Sequence, residues 1–401
     1  MCGSIVVGWF MQRPVIKEAT RKRCRIVELT PTVLEKLVPI SLELFHFLYH
    51  SKVISFSLYA RIGQELVEYV PKGPAHPEYL DELSALYQKS RRECEVCILR
   101  GERAAFDALI NAVRQEKIST LSRKLPDLDK KTLDLFAALS GASQLVVAGG
   151  IDPSVIASVK ASAAYLVANA IDSDVTVSTL SRMIICDPTL YDHSATVAMI
   201  SAVIATRLLP RKVTTREAEV IAQAALFHDV GKTCVPLEIL NKPGKLTPVE
   251  FDVMKTHTTE GFEEVQKLIV NGASLNDFVA RVALEHHEKW DGRGYPHGRK
   301  GAFEDDPANG IHLYSRIVTI ADIYSALLMK RVYKPAFEPQ DAIKVMAEEA
   351  HGFDPGVFVP FLKSVVRSLN TEQDRHRHGG RILAFDERGN LTEMAKKPKS
   401  A

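Results

Sequence analysis

Between Asp129 and Leu369 the apolar residues recur at helical spacing in stretch after stretch: Thr132–Ala148, Pro153–Ala168, His193–Leu209, Thr215–Phe227, Thr247–Val270, Asn276–His286, Ile311–Leu328 and Pro339–Ala350. A segment with that period buries one stripe against other helices, so this part of the chain is expected to fold helix on helix. Thr247-Pro248 ahead of Glu250, and Asp354-Pro355 ahead of the last apolar stretch, are helix start signals. His193, His228, Asp229, His257, His286, His287 and Asp322 all fall on these helices or at their ends.

Ahead of this region the pattern differs. Ile54–Ile62 alternates apolar and polar residues and reads as a strand, with Glu65–Val70 as its hairpin partner. Gly73, Pro74 and Pro77 break the chain, after which Tyr79–Ser90 reads as a helix, Glu95–Leu99 as a strand and Glu102–Gln115 as a helix. The expected fold class is therefore mostly α: an all-α helical domain preceded by a small α/β domain.

A net charge of +2 over 401 residues gives no global attraction for nucleic acid or a membrane surface, so neither is expected as a partner. No apolar run reaches the length of a membrane span, and Met1–Phe10 lacks the basic leader of an export signal, so the chain is expected to be cytoplasmic. Six scattered cysteines make no disulfide framework. Cys94 and Cys97 form one C-x-x-C pair, but on a strand that spacing points the thiols to opposite faces.

His228-Asp229 emerges from the apolar run Ala222–Phe227, and His286-His287 follows Phe278–Leu284 in the same way. A carboxylate buried at such a helix end needs a cation, because an isolated buried charge costs several kcal/mol. Neutral imidazoles and carboxylates are the ligands of first-row transition metals. Adjacent side chains on a helix diverge by about 100°, so each pair is expected to serve two metals rather than one. Asp322, inside the apolar stretch Ile317–Ile323, has little reason to be there unpaired.

These stretches occur in a recognisable order: His228-Asp229-Val230-Gly231-Lys232, Ile239–Thr247, Met254–His257, His286-His287-Glu288, Asp291–Gly298 with its Gly294-Tyr295-Pro296 turn, and Ala321-Asp322. In this the chain resembles the HD-GYP family of the HD phosphohydrolase superfamily, over roughly residues 180–365. The resemblance implies an all-α HD fold and a metal-dependent phosphodiesterase acting on cyclic di-GMP. It implies that His193, His228, Asp229 and Asp322 hold one metal and that Asp229, His257, His286 and His287 hold the other, with Asp229 bridging. Iron or manganese is the metal implied. Hydroxide bridging the two ions would attack phosphorus and expel the ribose 3′-oxygen, giving linear pGpG, with a further cut to GMP open to the family.

On this reading residues 1–118 are a sensory or interaction domain, 119–180 a helical linker, 181–370 the HD-GYP domain and 371–401 a loose tail. A homodimer is expected, and the resemblance also implies a Gly-Tyr-Pro loop that docks diguanylate cyclases or adaptor proteins. The linker helices are candidates for relaying the state of the N-terminal domain or for pairing two copies. Lys232, three residues beyond Asp229, is placed for a phosphate oxygen or the leaving group, or else for the C-terminal dipole of the preceding helix. Arg331 and Lys334 are expected at the ligand's phosphates. Tyr295 is expected either to stack on guanine or touch phosphate, or to pack and cap the fold; Trp290 supports it.

Two departures bear on activity. Thr189 stands where a third-metal glutamate would be, so two metals are expected, and Ser325 stands where the family often has an aspartate. The alternatives are a catalytically weak cyclic-dinucleotide-binding signalling protein, favoured by Ser325, and a phosphodiesterase for another cyclic dinucleotide such as cyclic GMP-AMP. The intact ligand set and Lys232 favour the enzyme.

Overall fold

The computed structural model describes residues 24–40, 48, 52–89, 94–126, 128–147, 151, 153–170, 177, 180–181, 183, 193–240, 242, 244–302, 310–329, 337–370, 382–385 and 391–394. They divide into two units, one built from residues up to Val113 and the other from Arg114–Val147 and Ile151 onward.

In the first unit β1 (Arg25–Val27), β2 (Leu37–Pro39), β3 (Leu58–Ile62), β4 (Glu65–Val70) and β5 (Cys94–Leu99) form an antiparallel sheet in the order β1-β4-β3-β5-β2. Gly63, at φ +58°, opens the two-residue turn that folds β4 back onto β3, a conformation without penalty for glycine. Helices α1 (Pro77–Lys89) and α2 (Arg103–Lys124) complete the α/β pattern expected from the sequence, and α2 crosses the boundary between the units.

The expected strand Ile54–Ile62 is interrupted. Val53–Ile54 pairs instead with Gly73–Pro74, and only Leu58–Ile62 joins the sheet. Ser57 explains the break: its backbone N–H donates to Glu102 Oε2 (3.3 Å), and its buried hydroxyl donates to Glu68 Oε1 (2.7 Å). Cys94 and Cys97 do lie on opposite faces. Cys94 packs with Val96, Ile98 and Phe106, whereas Cys97 packs with Tyr59 and Leu66. Burial pushes the Cys94 thiol up to about 12 and the Cys97 thiol higher still, so neither supplies a thiolate at neutral pH.

The second unit is helical: α3 (Lys130–Val147), α4 (Pro153–Ala170), α5 (His193–Val203), α6 (Thr215–Phe227), α7 (Pro248–Lys255), α8 (His257–Val270), α9 (Asp277–Glu285), α10 (Leu313–Leu328), α11 (Pro339–Glu348) and α12 (Pro355–Leu369). Helix α6 is the centre, with every residue from Val220 to Phe227 buried, and it packs against α4, α5 and α9. Start signals act as the sequence suggests. Thr214 with Glu217 and Thr247 with Glu250 form reciprocal capping boxes, and Asp354 accepts from the Gly356 N–H.

Two expectations are corrected. Thr247–Val270 is two helices, not one. The Thr256 N–H and hydroxyl both donate to the Val253 carbonyl, closing a tight turn after which the helix restarts at His257. The tail is not wholly loose either. Ile382–Phe385 and Leu391–Met394 pair antiparallel, and the hairpin lays Phe385 and Leu391 on the helical core, gaining apolar burial. Among the described residues no helix is long and apolar enough to cross a membrane.

Candidate metal centre

Each candidate ligand sits where a helix starts or stops, except Asp322, which lies inside α10. His193 opens α5 and His257 opens α8. His228 caps the C-terminus of α6, and the backbone of Asp229 (φ −100°, ψ 8°) leaves the helix for the turn Val230–Cys234. His286 caps α9, so that His287 already lies beyond it. Helix ends allow a side chain to turn inward without interrupting an apolar stripe.

The ends converge on Asp229. Its Oδ2 lies 3.2 Å from His228 Nε2 and 3.8 Å from His193 Nε2. Its Oδ1 lies 3.5 Å from His257 Nε2 and 3.7 Å from His286 Nε2. One carboxylate thus faces two histidine groups, one oxygen to each. Ligand atoms of His193, His228 and Asp229 lie within 4.8 Å of one another, as do those of Asp229, His257, His286 and His287. Asp322 is brought to the first group, its Oδ1 2.9 Å from His193 Nε2 and 3.9 Å from His228 Nε2. Adjacency does not divide His286 from His287, as helical divergence had suggested. Both join one group, with ring centroids 4.2 Å apart, because α9 ends at Glu285.

The protonation states follow from the surroundings. His228 Nδ1 lies 2.7 Å from the Ala225 carbonyl, His257 Nδ1 2.7 Å from Met254 and His286 Nδ1 2.9 Å from Ala283. A carbonyl only accepts, so each Nδ1 carries a proton and Nε2 is the ring atom turned toward Asp229. His193 Nδ1 meets a side chain instead, the Ser325 hydroxyl, at 3.1 Å. Burial pushes His257 down to about 4 and His287 well below the usual histidine range, so both stay neutral. Burial acts to raise the Asp229 and Asp322 carboxyls. It is outweighed by Lys232 and His228 at Asp229, and by His193 and His228 at Asp322, and both groups stay ionised.

His228 Nε2 and Asp229 Oδ1 are buried without a hydrogen-bond partner. Leaving such atoms unsatisfied costs about 1–3 kcal/mol each. Atoms orphaned in this way, a ring nitrogen and a carboxylate oxygen amid imidazoles around one shared carboxylate, are a donor set that fits divalent cations.

Lys232 is drawn to Asp229 rather than to a helix dipole, pairing its ammonium with Oδ2. Tyr295 packs on the centre: its ring stacks on His287 (centroids 4.8 Å, 29°), and its N–H donates to the His287 carbonyl. Phe251, 45% exposed, meets Tyr295 edge-on. Trp290 is partly buried, with the Arg316 guanidinium 5.6 Å over its ring. Arg331, Lys334 and Thr189 lie outside the described residues.

Several supporting residues escaped the sequence reading. Glu285, fully buried, pairs with Arg281 (2.9 Å) and Arg299 (3.1 Å) and accepts from Ser315 Oγ and the His312 N–H. Glu288 is buried and accepts from the His297 and Arg299 N–H groups, tying the Gly-Tyr-Pro loop to the histidine pair. Acids flanking His-His were a signal of sorts, but nothing local says whether they ligate or brace. Gly292 has the positive φ (+81°) expected of a tight turn, but Gly294 is needed for closeness: a Cβ there would lie 2.3 Å from the Lys289 nitrogen. Glu285→Ala is expected to destabilise the protein by about 3–5 kcal/mol by stranding two arginines. Chemical denaturation checks this, and a loss below about 1 kcal/mol would show that the network is not needed.

Sequence comparison agrees with this geometry. The HD domain family matches residues 179–357. A cyclic di-GMP phosphodiesterase of Vibrio cholerae is 41% identical over 147 residues, 36% of this chain and 28% of that protein. The cyclic di-GMP phosphodiesterase PA4108 of Pseudomonas aeruginosa is 36% identical over 187 residues, 47% of this chain and 42% of that one. A 3′3′-cGAMP-specific phosphodiesterase of V. cholerae is 39% identical over 140 residues, 35% and 25% of the two chains. The chain thus covers less than half the length of these relatives. The His-Asp, His-His and Gly-Tyr-Pro stretches gathered around one carboxylate all lie inside the matched segment, so residues 179–357 are an HD domain that carries the HD-GYP motifs.

Proposed function

We propose that the centre holds two divalent metal ions, iron or manganese, and hydrolyses cyclic di-GMP to linear pGpG and onward to GMP. The observation that carries this reading is the two-sided Asp229, each oxygen of which faces its own histidine group. His193, His228, Asp229 and Asp322 would hold one ion, and Asp229, His257, His286 and His287 the other. When bound, such ions supply Lewis acidity and an activated water nucleophile at neutral pH.

The protein's own groups do the rest. The three backbone-anchored imidazoles present fixed lone pairs and need no rearrangement to ligate. The Lys232 side chain is 32% exposed with its ammonium beside Asp229, and it is placed to meet a phosphate oxygen or the departing ribose oxygen. Tyr295, stacked on His287, forms a flat wall on which a guanine can lie. Arg331 and Lys334 are proposed to meet the ligand's phosphates. Lys232→Ala is expected to lower kcat by roughly 10²–10³-fold while both ions remain bound. Metal analysis beside turnover checks this, and an unchanged kcat would remove Lys232 from the reaction.

The first unit is proposed to be a sensory or interaction domain. The Gly-Tyr-Pro loop, with Arg293 exposed on it, is proposed to face diguanylate cyclases or adaptor proteins, and the cytoplasm and a homodimer are the proposed setting. The likeness to a cGAMP-specific relative supports cyclic GMP-AMP as a second substrate. The deciding experiment incubates the iron- or manganese-loaded chain with each dinucleotide and follows linear product. Appearance of pGpG supports the enzyme reading; binding without turnover would replace it with a signalling role.

A further inference from the structure

Of the four ring anchors described at the centre, three are main-chain carbonyls and the fourth is the Ser325 hydroxyl on His193 Nδ1. The difference is chemical. A carbonyl fixed in a helix end cannot be exchanged by mutation, and it holds its imidazole through the fold itself. A hydroxyl hangs on one replaceable side chain and rotates to donate or accept. Ser325 is fully buried on α10, three residues beyond Asp322, so the same helix face offers one group to each side of the His193 ring: Ser325 to Nδ1 and Asp322 to Nε2.

We propose that Ser325 is a positioning residue that orients His193 and thereby sets the strength of one metal half-site independently of the other. This rests on the two-ion reading above. The half-site of His257 and His286, which draws its ring anchors from α7 and α9, does not depend on Ser325. The His193 half-site does. The two ions are therefore held unequally, and the weaker is tuned by residue 325. A carboxylate at the same place would make a charge-assisted bond to Nδ1–H and strengthen the ligand.

The test is Mn²⁺ binding to the full chain by calorimetry and electron paramagnetic resonance, comparing wild type, Ser325→Ala, Ser325→Cys and Ser325→Asp. Losing the hydroxyl is expected to weaken one ion by roughly ten- to a hundredfold and leave the other unchanged. At intermediate Mn²⁺ the spin-coupled pair signal then gives way to a mononuclear six-line signal. Ser325→Asp is expected to restore or tighten the weak site, which a merely space-filling serine would not explain. Ser325→Cys keeps the buried volume, so it reads the hydroxyl alone should the alanine variant fold poorly. Unchanged affinities in both hydroxyl-free variants overturn the proposal. Failure of wild type to bind two ions would overturn the two-metal reading itself, a separate outcome.

Discussion

Asp229→Asn is expected to abolish turnover, by at least about three orders of magnitude, because it weakens both half-sites at once. Every other candidate ligand serves one histidine group, whereas Asp229 gives Oδ2 to His193 and His228 and Oδ1 to His257 and His286. Stability separates this from simple misfolding. In the metal-free protein asparagine loses the ion pair with Lys232 but also removes a buried carboxylate oxygen that has no partner, so the opposing effects are expected to leave the melting temperature within a few degrees of wild type. Wild type should then gain about 2.7 kcal/mol for each ion bound with Mn²⁺ at a hundredfold excess over its Kd, roughly 5–11 °C per ion for a unit of this size. The variant should gain almost nothing. Thermal melts with and without Mn²⁺ check this, and a variant that still takes up two ions would sink the bridging role.

Gly231→Ala should be strongly destabilising. A Cβ at this position would lie 1.9 Å from the His257 carbonyl oxygen and 2.4 Å from the Gly261 nitrogen, both main-chain atoms of α8. Backbone on that side cannot swing away as a flexible side chain would, so the turn after Asp229 and the start of α8 must separate. The cost is expected to exceed about 3 kcal/mol, a fall in melting temperature of roughly 6–12 °C. The damage also has a direction. Moving the first turn of α8 carries His257 away from Asp229, so Mn²⁺ bound at the His257 and His286 half-site should fall before the other. Calorimetry and melting of the same preparation test both parts; a variant that melts like wild type would mean the contact is relieved cheaply.

Much of the centre was legible in the chain because its parts come as short ordered stretches. His228-Asp229 after an apolar run, His286-His287 after another and Asp322 inside a third each announce an ionisable group at an apolar helix. The structure gathers all of them. Less legible was what holds them. The three carbonyls that set the imidazole tautomers leave no trace in composition, since any residue supplies a carbonyl. Glu285 and Glu288 looked no different from ligands, yet they brace Arg281, Arg299 and the loop. Helical divergence alone would have split His286 from His287, whereas the family resemblance put them on one ion; the divergence argument failed because the sequence does not mark that α9 ends one residue earlier.

By itself, then, the sequence determined the helical class, the small α/β unit ahead of it and the identity of the residues at the centre. Periodicity and residue chemistry are local properties, readable within a few turns. Only the tertiary structure decided that Asp229 is two-sided, that Ser325 sits on His193, and that Gly231 must remain without a side chain. Those facts depend on how helix ends far apart in sequence approach one another to within hydrogen-bond or van der Waals distance. Such approaches are fixed by packing of the whole core, and no single stretch of the chain encodes them.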